Sequence, residues 1–169
     1  MKVTIFAGDI TDAPADAICT STNPRLSLMM GTGGAVRERG GFAVLRECEA
    51  IVAASPPLRA GSVHVTSAGA LPYKAVIHCV ASDAHHASSA AVIRACVTNA
   101  LAAAERAGCA RVAMPVFATG HAQFRFREAL AAMAEALRSA STTVSEVIVV
   151  VAEADRVDEA ATALGRSSP

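Results

Sequence analysis

The sequence has no excess of charge of either sign, because fifteen lysine and arginine residues balance fifteen aspartate and glutamate residues. Proteins that bind nucleic acid without reading its sequence need a surplus of basic residues to neutralise phosphates. The balanced charge therefore argues against strong electrostatic binding of nucleic acid. Thirteen of the fifteen basic residues are arginine. Arginine suits planar oxyanion recognition better than lysine, although a GC-rich coding bias gives the same ratio.

Paired cysteines and long apolar segments are also missing. The five cysteines are odd in number, and none forms a Cys-x-x-Cys pair, which argues against a disulfide framework or a cysteine-bound zinc ion. No stretch of 18 apolar residues is free of charge. The first residues, MKVTIFAGDIT, lack the apolar segment of a secretion signal. We therefore expect no membrane association and a cytoplasmic protein with reduced cysteines.

What the chain does have is enough apolar material for one core. Its 169 residues are 53% hydrophobic and 18% charged, which argues against disorder. A chain of this length fits one ordinary domain that needs neither disulfides nor metal. No linker-like stretch or internal repeat interrupts it. We predict a single domain over residues 1–166 and a frayed end at residues 167–169.

Short β-rich segments alternate with helical patterns along most of the chain. The clearest strand covers residues 145–151, because its Val/Ile run suits burial on both faces. The clearest helix covers residues 88–107 and stops before Gly108, a favourable residue just after a helix. The alternation predicts an α/β/α sandwich around a sheet of about six strands. The other predicted strands are 2–6, 16–21, 62–67, 75–80 and 111–116, and the other predicted helices are 41–54, 125–139, 157–164 and a short one that starts within the glycine cluster at 31–34 and covers 35–39.

Two segments that follow predicted strands carry side chains suited to a nucleotide. Asp9 lies in Gly-Asp-Ile-Thr at residues 8–11 and can accept a hydrogen bond from an amino group such as that of adenine. Asn23 lies in Ser-Thr-Asn-Pro at residues 21–24 and offers both a donor and an acceptor to a ribose diol. Taken alone, each segment is equally well explained as a turn or a helix cap.

Two further segments offer backbone amides. Residues 29–36, MMGTGGAV, lead into a predicted helix, and their glycines allow the close backbone approach and helix-start amides that attract phosphate. They match neither a Walker loop nor a Gly-x-Gly-x-x-Gly motif, and a flexible turn has the same composition. Residues 116–124 contain Thr119-Gly120, His121 and Phe124, an imidazole and a stacking face. The alternative there is a surface loop with a solvated histidine and a core phenylalanine.

Together these segments resemble the macrodomain family. The motifs are Gly-Asp-Ile-Thr at residues 8–11, an alternating stretch ending in Asn at 17–23, the glycine-rich loop at 31–41, Val-Ile-His-x-Val at 76–80 and Pro-x-x-x-Thr-Gly at 115–120. Their order and spacing match over nearly the whole chain. The resemblance implies a three-layer α/β/α fold with a mixed central sheet. It also implies a cleft for ADP-ribose, either free or attached to a protein or nucleic acid, without a cofactor.

The resemblance further implies roles for individual residues. Asp9 and the amide of Ile10 read the adenine, Asn23 contacts the distal ribose, and Phe124 packs beside that ribose. Backbone amides neutralise the diphosphate without lysine or arginine. The residues expected to clasp it are Gly31, Thr32, Gly33, Gly34 and Val36 in the first loop and Thr119, Gly120, His121, Ala122 and Gln123 in the second.

The sequence departs from the hydrolytic MacroD-type branch of this family. Where that branch has an asparagine and an aspartate, this chain has Thr20 and Gly33, so the acid that positions the attacking water is missing. No aromatic residue follows Val151 to stack on adenine. We therefore expect ADP-ribose binding without strong hydrolysis.

Two other functions stay open at this point. One is an ADP-ribosyl hydrolase or O-acetyl-ADP-ribose deacetylase, in which Asn23 acts with His121 or Asp83 in place of the missing acid. The other is a protein-interaction module with a retuned pocket. Asp83, His85 and His86 lie close enough in sequence to suggest a metal, but adjacent histidines point apart and no third ligand is near. We therefore predict no metal site there.

Overall fold

The computed structural model describes residues 1–55 and 57–165, so the predicted fraying of residues 167–169 lies outside the described residues. Among the described residues, no helix combines the length and apolarity needed to cross a bilayer. The strands are β1 Lys2–Ala7, β2 Ala17–Thr22, β3 Val63–Thr66, β4 Ala75–Val80, β5 Arg111–Pro115 and β6 Glu146–Val151, and the helices are α1 Gly31–Gly40, α2 Phe42–Ala54, α3 Ala90–Arg106, α4 Phe126–Ser139 and α5 Val157–Ala163, with short 3-10 turns at Ile10–Asp12 and Ala154–Arg156.

The six strands form one mixed sheet in the order β1-β6-β5-β2-β4-β3. The strands from β1 to β4 in this order run parallel, and only β3, at the edge, is antiparallel to its neighbour. Strands from the two ends of the chain are therefore neighbours, with Ala7 opposite Val151. Because the carboxyl ends of parallel strands meet at one edge, the loops after β1, β6, β5, β2 and β4 gather there.

Helices cover both faces of the sheet, which confirms the predicted three-layer fold. In β6, Val147 and Val149 belong to the core beneath α3, α4 and α5, whereas Ile148 and Val150 belong to the core beneath α1 and α2. This division follows from the two-residue period of a strand, whose successive side chains point to opposite faces. A strand covered on both sides needs apolar residues at every position, as its Val/Ile run supplies.

The predicted element bounds agree with the structure to within two residues, and α1 starts within the glycine cluster as predicted. That helix begins at Gly31, although glycine has a poor helix propensity. A Cβ atom at Gly33 would lie 3.0 Å from the carbonyl oxygen of Ser27, and one at Gly40 would lie 3.1 Å from that of Ala68. At Gly33 and Gly40, neighbouring backbone therefore leaves no room for a side chain.

His78 is fully buried in β4 and lies within a small polar cluster beneath α2. Its Nδ1 is 3.0 Å from Thr20 Oγ1, and its Nε2 is 2.9 Å from Thr66 Oγ1 and 3.5 Å from Cys48 Sγ. Burial lowers the pKa of His78 to about 4 and raises the pKa of Cys48 to about 11. Both groups are therefore neutral near pH 7, so this Cys–His pair is structural rather than an activated nucleophile.

Replacement of His78 by Gln is expected to reduce the loss of folding stability that occurs as the pH falls from 6.5 to 4. In the wild type the unfolded chain gains a proton on this histidine below its ordinary pKa of 6.5, whereas the folded chain resists protonation down to about pH 4. Stability is therefore lost as the pH falls from 6.5 to 4, by roughly 3 kcal/mol from this group. Urea unfolding of both proteins at pH 7 and pH 4.5 measures the difference. An equal loss in both proteins would contradict it.

Candidate functional site

A cleft of about 830 Å³ opens at the carboxyl edge of the sheet. The sheet order arranges its lining from one end to the other. Asp9 and Arg156, which follow the adjacent strands β1 and β6, lie at one end. The loop after β5 lies in the middle, and Asn23 and His86, which follow β2 and β4, lie at the other end. The cleft is therefore elongated, with chemically different ends.

The cleft brings together part of the predicted site. The predicted residues in its lining are Asp9, Ile10, Asn23, Gly31, Thr32, Thr119, Gly120, His121 and Ala122. Phe124 packs instead against the core beneath α3 and α4. Val36 lies in α1 and is fully buried in the core between that helix and the sheet. The predicted residues outside the lining are Gly33, Gly34, Val36, Asp83, Gln123 and Phe124.

Asp9 caps the 3-10 turn that follows β1. Its Oδ1 accepts hydrogen bonds from the amide and the hydroxyl of Thr11, at 2.8 and 2.6 Å. Partial burial opposes ionisation of Asp9, but these bonds and the nearby Arg39 outweigh it and lower its pKa. Asp9 is therefore an ionised carboxylate at the cleft. Both bonds end on Oδ1, which leaves Oδ2 for a ligand.

Ser21, near the end of β2, fastens two of the cleft loops. Its amide donates to Oγ1 of Thr32 in the first turn of α1, at 3.1 Å. Its own Oγ accepts the amide of Ala118, at 3.0 Å. The start of α1 and the loop after β5 are therefore held to the same residue.

The amino end of α1 opens onto the cleft without a side-chain cap. The amide of Gly34 donates to the carbonyl of Met30, at 3.1 Å, and starts the helix. The amides before it lie in the first turn, where a helix supplies no acceptor. With the helix dipole, this end attracts an anion.

Backbone encloses Gly33, where the resemblance leads us to expect the acid of the hydrolytic branch. A Cβ at Gly33 would approach the Ser27 carbonyl oxygen to 3.0 Å and Leu28 Cα to 3.1 Å. The Ser27 oxygen is itself held by a hydrogen bond from Thr22 Oγ1, at 3.2 Å. A side chain at residue 33 therefore requires the loop after β2 to move.

Backbone hydrogen bonds within the loop after β5 hold its shape. The amide of Phe124 donates to Ala118 and that of Gln123 to Gly120, each at 2.9 Å. Ala118 and Gln123 have φ values of +64° and +51°. Non-glycine residues adopt such values only where the surroundings enforce them, and such strain clusters at functional sites.

Two imidazoles meet in the cleft. The rings of His86 and His121 lie edge to face with centroids 4.2 Å apart. Asp83 shapes the loop that carries His86, because its Oδ1 accepts the amides of His85 and Ala87 at 2.8 and 2.9 Å. The bonds from Ala87 and His85 lower the pKa of Asp83.

Within residues 1–55 and 57–165, no three histidine, cysteine or acidic side chains are grouped to hold a metal.

The cleft lining also contains four residues that were not predicted as ligand-binding residues: Ser21, His86, Phe126 and Arg156. Arg156 follows β6 by five residues, and its Cζ lies 4.3 Å from the centroid of the Phe126 ring. The available signal was position, since a residue shortly after a parallel strand lies at the ligand edge of the sheet. Phe126, by contrast, reads in sequence as an ordinary core residue at the start of a helix.

Replacement of Ser21 by Ala is expected to lower the free energy of unfolding by about 1–2 kcal/mol, because the amide of Ala118 loses its acceptor at a part-buried position. Ser139→Ala is the matched control, since Ser139 only bonds back to carbonyls of its own helix. Urea unfolding of the three proteins measures the effect. Equal stability of Ser21→Ala and wild type would show that Ser21 does not fasten the loop.

Comparisons with known proteins identify the family. The Macro domain model matches residues 19–133. A macro domain-containing protein of Streptomyces nogalater, in the sno 5' region, is 33% identical over 96% of this chain and 92% of its own length. O-acetyl-ADP-ribose deacetylase 2 of Pantoea vagans is 28% identical over 93% of this chain and 95% of its own length. A variant Oceanobacillus iheyensis macrodomain solved with ADPR superposes with a TM-score of 0.87 at 23% identity. The match covers 95% of this chain and 90% of that macrodomain. The chain belongs to the macrodomain family.

Proposed function

We propose that this chain binds ADP-ribose, free or attached to a protein or nucleic acid, in the cleft between the start of α1 and the Thr119-Gly120 loop. One observation carries the proposal: a single elongated cleft passes an ionised carboxylate, then two amide-bearing loops, then an asparagine. That order suits a base, a diphosphate and a distal ribose. The volume of about 830 Å³ lies within the range of small-molecule sites.

The adenine end is assigned to Asp9 and Ile10. Oδ2 of Asp9 accepts the exocyclic amino group, and the Ile10 amide donates to a ring nitrogen. The capping bonds from Thr11 hold the carboxylate in place before the ligand arrives. Prior ordering of this kind reduces the entropy lost on binding.

The diphosphate is assigned to the open start of α1 and the loop around Thr119 and Gly120. First-turn amides and loop amides carry the partial positive charge needed for two phosphate charges. A Cβ atom at Gly31 or Gly120 would meet nothing within 4 Å, so a ligand can approach this backbone closely. A net charge of zero is therefore no obstacle.

The distal ribose is assigned to Asn23. Its Oδ1 accepts the amide of Arg25 at 3.0 Å and fixes the turn after β2, which leaves the side-chain NH₂ for a hydroxyl. The acidic residues that line the cleft within the described chain, Asp9 and Glu153, follow β1 and β6 at the far end. With Gly33 enclosed by backbone, no carboxylate is available here to activate water, which favours binding over fast hydrolysis.

Replacement of Asp9 by Asn is expected to weaken ADP-ribose binding by roughly 10- to 100-fold. Asn still caps the turn, but it places an NH₂ donor where Oδ2 must accept, and a hydrogen bond to a charged group contributes about 1.5–3 kcal/mol. Isothermal titration calorimetry measures the change.

Asp12→Asn is the matched control for this experiment. Asp12 lies in the same 3-10 turn and pairs with Arg39 at 2.7 Å, outside the cleft lining. Its variant should bind ADP-ribose like the wild type. Equal affinities of Asp9→Asn and Asp12→Asn would remove Asp9 from the adenine site, and a wild type that does not bind ADP-ribose would refute the proposed function.

A slow hydrolytic activity is the second candidate, and the His86–His121 pair favours it. The Pantoea vagans relative is named an O-acetyl-ADP-ribose deacetylase. In this reaction a water oxygen attacks the acetyl carbon, and the ester C–O bond breaks to give acetate and ADP-ribose. His121 takes the water proton and returns it to the departing ribose oxygen, while the edge of His86 fixes the ring. General-base catalysis of this kind contributes about 10²- to 10⁴-fold.

If the wild type releases acetate from O-acetyl-ADP-ribose, His121→Gln is expected to lower kcat at least tenfold, since it removes the proton acceptor. His86→Gln should have a smaller effect of the same sign. His85→Gln is the control, because His85 is exposed and outside the cleft lining. Acetate release is measured at saturating substrate. Unchanged turnover in His121→Gln would exclude the imidazole as the base.

A further inference from the structure

The cleft has a feature at its β1/β6 end that the proposed function leaves unused. Arg156 ends the 3-10 turn after β6, and its guanidinium lies over the ring of Phe126, 4.3 Å from Cζ to the ring centroid. Both residues line the cleft. An arginine placed on an aromatic ring is a cation–π pair, and a planar guanidinium also stacks on flat groups.

This pair presents arginine rather than phenylalanine to a ligand. Phe126 is only 8% exposed, so its ring is largely covered where it borders the cleft. Arg156 is exposed. Within residues 1–55 and 57–165, no carboxylate forms an ion pair with it. One face of the guanidinium is therefore held by the ring, and the other is free to contact a flat group.

Asp9 and Arg156 line the same cleft, at the end formed by the segments after β1 and β6. The amide of Gly8 donates to the carbonyl of Val151 at 3.0 Å, so the residues just after β1 and β6 are direct neighbours. A purine whose amino group reaches Asp9 therefore has its ring within the part of the cleft that Arg156 borders. The sequence after Val151 contains no aromatic residue to perform this role.

We propose that Arg156, supported by Phe126, forms a flat cationic platform on which the purine ring of the ligand stacks. The inference rests on the proposed binding of ADP-ribose and names a residue that determines its affinity for the base. Stacking of bases on guanidinium planes and aromatic rings is a common means of nucleotide recognition.

The competing role for Arg156 is a plain charge partner of the diphosphate. Three substitutions separate the two roles. Arg156→Lys keeps the charge but loses the flat surface, Arg156→Gln keeps a planar group without charge, and Arg156→Leu keeps neither. Arg94→Gln is the control, because Arg94 pairs with Glu135 at 3.1 Å between α3 and α4, away from the cleft.

Titration calorimetry with ADP-ribose is run on the wild type, these four variants and Phe126→Leu at 50 and 500 mM NaCl. Stacking predicts that Arg156→Leu weakens binding roughly 5- to 100-fold, as loss of one stacked base contact does. It also predicts that Gln retains more affinity than Lys and that the loss persists at high salt. Phe126→Leu, which keeps an apolar core residue but removes the ring, should weaken binding in the same direction without loss of the folded state.

Rescue by Lys but not by Gln, with a loss that shrinks at high salt, would overturn the platform and make Arg156 a charge partner. Wild-type affinity in Arg156→Leu would also overturn it while leaving the proposed function intact. Failure of the wild type to bind ADP-ribose at all would instead refute the proposed function, and the platform with it.

Discussion

The geometry of the cleft depends on the two hydrogen bonds made by Ser21. This residue is half-buried near the end of β2, which lies between β5 and β4 in the sheet. Through Thr32 and Ala118 it sets where α1 starts and where the loop after β5 turns. The two loops that face each other across the cleft therefore share one attachment on a central strand, and the gap between them is fixed before any ligand enters.

The sheet order supplies the second constraint, the direction of the cleft. Strands β1 and β6 come from opposite ends of the chain yet pair in register. This pairing places Asp9 and Arg156 at one end of the cleft, while β2 and β4 place Asn23 and His86 at the other. Local sequence identifies the strands, but their order depends on how the helices pack on both faces. The relation between Asp9 and Arg156 is therefore a property of the whole fold.

The sequence predicts most of the fold for reasons that are local. The apolar runs of β4 and β6 favour strands that are covered by helices on both faces. Both strands were found where they were predicted. The start of α1 within the glycine cluster was also found, but helix propensity says nothing about the backbone of Ser27 that passes beside Gly33. Asp9 and Asn23 were found in the cleft lining because they follow strands. Arg156 and Phe126 are thirty positions apart in the chain, and only the folded structure brings them together.

These constraints also support the proposal that this chain binds ADP-ribose without fast hydrolysis. The groups assigned to recognition are backbone amides and side chains fixed by their own hydrogen bonds, so they need little rearrangement to hold a ligand. A catalytic acid on the start of α1 needs free space at residue 33, and that space is occupied by a carbonyl which Thr22 holds in place. A single substitution there strains the loop instead of restoring the acid. In the proposed complex, any proton transfer near the distal ribose must therefore come from the loops after β4 and β5, where His86 and His121 are in contact.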